Sequence, residues 1–388
     1  MSIFGWIFAA AATFVYTGDW IAVALALIKP TWTPQHYQIL LIIFASAAVC
    51  TLLNTIFLKA YEWSVKIALV VINIGALFIF ISLLAKAPKA DAHTAFIEVS
   101  NYTGWSSNGL VFLFALLPGI LTISLFDAAA HLADEMPQPE RQVPIVMVST
   151  ALLNGTAGLL MVIAIIFCTT KPENLLQPLG GFAILQIAYD AWPSLGFLIA
   201  ISFIYIFMQF NGSTGIILGC SRLIWAFAET GGMFAHRFHT KVNSKQVPVG
   251  SVITTVILTC LASILLLGPT TVLNGLFGAS IVCVVVSYTL PIGFVLFNGR
   301  SRLPANRYWN LGKAGPFVNF VAIIWAWLAA IVNCIPQYLP VTKETFNWAP
   351  VFFGITVVLV MANWLFVRKR YQVPKGLYIE RLHGHVGH

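Results

Sequence analysis

Asp127 and His131 stand one helical turn apart in the run Pro118 to His131, a spacing that puts a carboxylate and an imidazole on one helix face. Such a pair can exchange a proton, offer a counter-charge to an amine, or supply half of a metal or general-base site. Just upstream, Pro118 removes a backbone donor and Gly119 loosens the helix, so a break is expected there. Backbone freed near Thr122 to Ser124, together with the Asp127 carboxylate, would hold a small polar or cationic solute, the arrangement discontinuous helices give to secondary transporters. Phe126 would add a ring face for a cation. The plainer alternative is a proline kink in which Asp127 simply pairs with His131.

The metal or general-base alternative needs further ligating side chains in apolar surroundings. Only Asp19 is available, in Tyr16-Thr17-Gly18-Asp19-Trp20, because His36, His93, His236 and His239 fall in polar connections. Asn211, in Gln209-Phe210-Asn211-Gly212-Ser213-Thr214-Gly215, gives its segment a polar, small-residue face that serves helix packing or substrate contact. The six cysteines lie in or beside apolar runs with no Cys-x-x-Cys pair, which reads as small buried hydrophobes. No metal or cofactor is expected.

These groups must be positioned by membrane-spanning elements. Of the 388 residues, 59% are hydrophobic and 9% charged, against about a quarter charged in a soluble domain. The net charge of +8 does not point to nucleic acid, since the basic residues occur singly or in short groups. Ten apolar runs are long enough to span a bilayer as helices, near 4–28, 37–58, 63–85, 109–133, 144–168, 194–219, 250–267, 272–297, 317–336 and 348–367. The chain therefore reads as an all-α polytopic membrane protein, with a transmembrane domain 1–367 and a polar tail 368–388 whose His383, His385 and His388 only superficially resemble a metal tract.

With ten spans both termini share one side. That side holds 16 of the 21 Lys and Arg residues, leaving Lys29, Lys86, Lys89, Lys171 and Lys343 opposite, so both termini are expected in the cytoplasm. Asn101-Tyr102-Thr103, a glycosylation sequon, then falls on the opposite side. Phe182 to Tyr189 reads as a short helix at that outer surface.

The run Phe126-Asp127-Ala128-Ala129-Ala130-His131 continuing through Asp134-Glu135-Met136-Pro137-Gln138-Pro139-Glu140-Arg141 resembles the sixth span and following loop of amino acid permeases of the amino acid, polyamine and organocation superfamily, in particular the fungal choline and gamma-aminobutyrate branch. Ser221-Arg222-Leu223-Ile224-Trp225-Ala226-Phe227-Ala228, Ser287-Tyr288-Thr289-Leu290-Pro291-Ile292, and Pro340-Val341-Thr342 before Phe346-Asn347-Trp348 follow in the family's order. The resemblance covers nearly the whole chain. It departs at Ala228-Glu229-Thr230-Gly231-Gly232, where the family commonly has Ala-Arg-Asp-Gly-Gly, and at Leu121 and Ser124, where an aromatic gate and a glycine are common.

The first span here resembles the family's third, so the implied fold is a five-plus-five inverted repeat lacking two N-terminal helices. The implied function is secondary active, proton-coupled transport of choline, gamma-aminobutyrate or an amino acid, in a plasma or vacuolar membrane. Thr122, Ser124, Phe126, Asp127 and Asn211 are the candidate substrate contacts. The alternative is a non-transporting sensor or partner subunit built on the same scaffold.

Overall fold

Runs of apolar residues that must satisfy every backbone group internally fold as helices in a bilayer, and nine do so without interruption among the described residues. The computed structural model describes residues 1–99, 101–300, 303 and 307–372, except the side chains of Leu121, Thr122 and Asp134. Three of the basic residues counted on the side of the termini, Arg302, Lys375 and Arg381, and the tail histidines lie outside the described residues. In order come α1 (Ser2–Ile28), α2 (His36–Thr55), α3 (Leu58–Lys86), the short α4 (Ala92–Phe96), then α5 (Asn108–Ala115), α6 (Leu117–Ile123) and α7 (Ala128–His131). These are followed by α8 (Pro139–Cys168), α9 (Ala183–Ala191), α10 (Leu195–Glu229), α11 (His236–His239), α12 (Val249–Ser263), α13 (Thr270–Asn298), α14 (Gly315–Cys334) and α15 (Ala349–Val367). No strand occurs among the described residues. This is an all-helical, multi-pass integral membrane protein.

The central element is α1, which packs against α2, α10, α12 and α13. Its small residues allow that: Ala9, Ala10, Ala11 and Ala12 are buried. A Cβ on Gly5 would stand 2.6 Å from Val284 Cγ2, so only glycine lets α13 approach closely enough for the Ser280 hydroxyl to donate to the Gly5 carbonyl at 2.8 Å. Three apolar clusters run along α1. Trp6 and Ile7 meet Cys220 and Ile224 near the N-terminal face, Phe14 and Val15 meet Ile43, Ile217 and Val252 at mid-height, and Trp20 meets Leu185 and Ile201 toward the far face. By contrast α8 and α15 are the least buried spans, with apolar side chains turned outward as lipid contact requires.

The expected fourth span, 109–133, is the one that is not a single helix, and it is interrupted twice: α5 ends at Ala115 and α6 begins at Leu117, beside Pro118 where the sequence predicts a break, and a second turn follows α6. Pro118 is the second residue of α6, a position whose amide has no intrahelical partner to lose. The helix therefore runs past Pro118, Gly119 and Thr122, and the expected freed backbone at Thr122 to Ser124 is instead hydrogen-bonded: Ser124 donates from both its amide (3.0 Å) and its hydroxyl (2.6 Å) to the Ile120 carbonyl. The chain turns one residue later, at Leu125, whose φ is +64°.

Other boundaries moved as well. The helix expected over 194–219 extends to Glu229, so at 35 residues it rises about 52 Å and projects beyond a bilayer core of about 30 Å. The short helix expected over 182–189 is present as α9.

Candidate functional site

The broken crossing separates two environments. On the far side of the break, a cavity of about 600 Å³ opens between α5–α6, the start of α13 and the connection between α14 and α15. Pro118 reaches its floor, and Glu344 is the single charged residue of its described lining. Thr271 and Asn274 line it from the first turn of α13, and the buried Thr271 hydroxyl has no hydrogen-bond partner among the described residues. Two other polar residues there are spoken for: the Asn347 side-chain amide donates to the carbonyls of Asn333 (2.7 Å) and Ile335 (3.0 Å), and that of Asn333 to the Ala329 carbonyl.

On the near side, Asp127 is 7% exposed and gathers three donors from three elements. The Tyr288 hydroxyl of α13 donates to Oδ1 at 2.6 Å, while Oδ2 accepts from the Trp6 indole of α1 at 3.4 Å and pairs with His131 Nε2 at 3.0 Å. The Trp6 ring also meets the His131 ring edge-on at 5.2 Å, and the Phe126 ring lies 5.6 Å from that of Tyr288. The carboxylate occupies the N-cap position of α7 yet makes no capping bond, because its oxygens are used between helices.

A second tie lies on the same face. Glu135 and Arg222, from the segment after α7 and the projecting end of α10, form an ion pair with Nε to Oε1 at 2.6 Å.

The structure thus brings Phe126 and Asp127 together with His131, and leaves the other candidates elsewhere. Ser124 spends its hydroxyl inside its own helix, and Thr122 lies in α6 with its side chain outside the described residues. Asn211 is eight residues along α10 from Gly219, the residue packed on Trp6, hence about 12 Å away along the axis. Its amide nitrogen donates to the Phe207 carbonyl at 2.9 Å, and its buried oxygen has no partner among the described residues.

Trp6 and Tyr288 were missed. Their signal was available: an indole N–H or phenol O–H within an apolar span needs an acceptor, and Asp127 is one of the few acceptors there. Among the described residues no three His, Cys, Asp or Glu side chains converge as metal ligands would.

With this geometry in hand, comparison with known proteins gives a consistent result. The amino acid permease family model matches residues 1–360. An amino-acid permease homolog of Oryza sativa subsp. japonica is 28% identical over 71% of this chain and 55% of its own length. A choline transporter of Saccharomyces cerevisiae is 27% identical over 94% of this chain and 65% of its own. A swainsonine transporter of Arthroderma benhamiae is 27% identical over 79% and 61% respectively. The chain therefore spans between 55% and 65% of the length of these relatives.

Proposed function

The chain belongs to the amino acid permease family, and from that premise we propose that it carries a small amine or amino acid across the bilayer by alternating access. The reading rests on one arrangement: a cavity of about 600 Å³ that reaches Pro118 from the far face, and an Asp127 cluster that shuts the route beyond it. This is the geometry of a carrier open on one side only. The excess of Lys and Arg beside the termini supports a cytoplasmic closed face, in a plasma or vacuolar membrane as the family resemblance implies.

An incoming ammonium group meets Glu344 at the mouth, then the Thr271 hydroxyl and the Asn274 amide. In this state Asp127 serves as the acceptor that holds the gate shut. Once the Tyr288 and Trp6 donors part from it, the carboxylate is free to act as counter-charge, with Phe126 beside it, or to take a proton from a protonated His131, leaving that imidazole neutral. That exchange would couple transport to protons. Thr122 and Ser124 line the moving segment, and Asn211 contributes to packing at mid-height. Names among the relatives support amines and amino acids as the substrate class.

A second reading, a sensor or partner subunit that does not transport, is favoured by the fact that both Asp127 oxygens are already bonded. Uptake of labelled choline, gamma-aminobutyrate and amino acids into transporter-deficient cells separates the two. Saturable uptake of one of them that is lost in Asp127→Asn supports the carrier. Expression at the membrane without uptake supports the second reading.

A further inference from the structure

A second cavity, of about 490 Å³, lies between the far half of α1, the α1–α2 connection and the segment 179–182 ahead of α9. Its described lining holds one acid, Asp19. No hydrogen bond or ion pair joins Asp19 to any described residue. An acid inside a spanning helix without a protein partner is costly, and the half-buried Asp19 lines this cavity.

The walls indicate what fills that space. Tyr16 and Phe182 line the cavity. Phe182 stacks on Trp20 at 4.1 Å and 16° between planes, and Trp20 stacks on Tyr205 at 4.4 Å and 8°, so the Phe182 ring stands on a fixed aromatic pile. Val23 and Leu27 make the remaining surface apolar. The roof is fixed too: Gly180 has φ +62° and lies so close to α1 that a Cβ would stand 2.5 Å from Val23 Cγ1.

An inorganic cation would require several oxygen ligands, and one carboxylate does not supply them. A single counter-charge, ring faces and aliphatic walls are instead what an alkylated or primary ammonium ion needs. We propose that this cavity is a binding site for an organic ammonium cation beside the central cavity, with which it shares Tyr16, with Asp19 as counter-charge and Phe182 and Tyr16 as ring walls. The site rests on its own geometry and does not require that the chain transports.

The test is equilibrium binding of labelled choline to the purified full chain in lipid nanodiscs, with 3,3-dimethylbutan-1-ol as its uncharged isostere. Each variant is measured also in an Asp127→Asn, Glu344→Gln background, so that the carboxylates of the central route do not mask the result. Saturable binding is expected. Asp19→Asn should weaken it by about tenfold or more, and Asp19→Glu should stay within about threefold of the wild type. Phe182→Leu should weaken choline binding without strengthening competition by the neutral alcohol.

The ligand-free Asp19→Asn chain should also melt higher than the wild type, since an unpaired charge has been removed, and this separates loss of a ligand from loss of the fold. Equal affinity in Asp19→Asn, competition by the alcohol as strong as that by unlabelled choline, or no saturable binding up to about 10 mM would overturn the proposal. A chain that binds in this way but fails in cellular uptake would refute the carrier reading alone.

Discussion

Replacing Tyr288 by Phe should unlatch the closed face by an amount that can be worked out from the cluster. The change deletes a hydroxyl that donates to Asp127 Oδ1 at 2.6 Å, while the ring stays in place against Phe126. A hydrogen bond to a charged, nearly buried partner contributes about 1.5–3 kcal/mol. Taking about 2 kcal/mol, and about 1.4 kcal/mol per factor of ten, the parted state gains population about 30-fold.

Cys220 is a built-in reporter, because it is fully buried in the apolar cluster around Trp6. With Cys50, Cys168, Cys260, Cys283 and Cys334 replaced by Ala, the rate of maleimide labelling at Cys220 from the N-terminal face should rise about 30-fold in Tyr288→Phe. Trp6→Phe should give a smaller rise, its bond being longer at 3.4 Å, and the double variant should be non-additive because both donors serve one carboxylate. A rise below about threefold with an unchanged melting temperature would mean that the cluster is not what holds the face closed.

Gly219→Ala should destabilise the chain by about 1–3 kcal/mol through overpacking, since the new methyl would stand 2.8 Å from the Trp6 ring; a melting curve in detergent checks this. Glu135→Gln should speed Cys220 labelling too, because it leaves the buried Arg222 guanidinium without its carboxylate, and charge restoration by Glu135→Asp should recover most of the protection. Burial holds the His239 imidazole below its usual pKa of 6.5, so the fold favours its neutral form. That stability is fully present above the unfolded value and falls away as pH drops toward the lowered folded one. Limited proteolysis of the α10–α12 connection should therefore accelerate between about pH 7 and pH 5, and His239→Gln should flatten the profile. At the opposite face Asp91 caps α4, and hydrogen bonds from the Thr94 hydroxyl and from the Thr94 and His93 amides hold its carboxyl below the ordinary range. The cap is intact above the unfolded carboxylate pKa and is lost as pH falls through the folded value, which amide exchange at residues 93–96 would follow.

The spans were legible because a bilayer imposes one rule on every residue of a run, and the apolar stretches from α1 to α15 obey it. Extension of α10 to Glu229 was not, since Arg222 ends an apolar run and the sequence does not reveal that Glu135 waits for it. The Asp127–His131 pairing followed from helical spacing alone. Proline marked the first interruption, between α5 and α6, but not the second. The second turn falls on Leu125, a residue type with no preference for positive φ. Asn211 looked like a site residue on composition, but its height along α10 depends on packing against α1 that no local pattern records.

The left-handed Leu125 has a consequence for how this segment can be inherited or borrowed. Its conformation is specified by residues at three distant addresses: Tyr288 and Trp6 anchor the carboxylate two residues on, and the leucine side chain sits in the pocket around Cys220 and Ile224. Residues 117–131 are therefore not a portable module. Grafted into another bundle they should straighten into ordinary helix, and a lineage that lost Tyr288 or Trp6 would keep the hinge only by writing it locally, with glycine in place of Leu125.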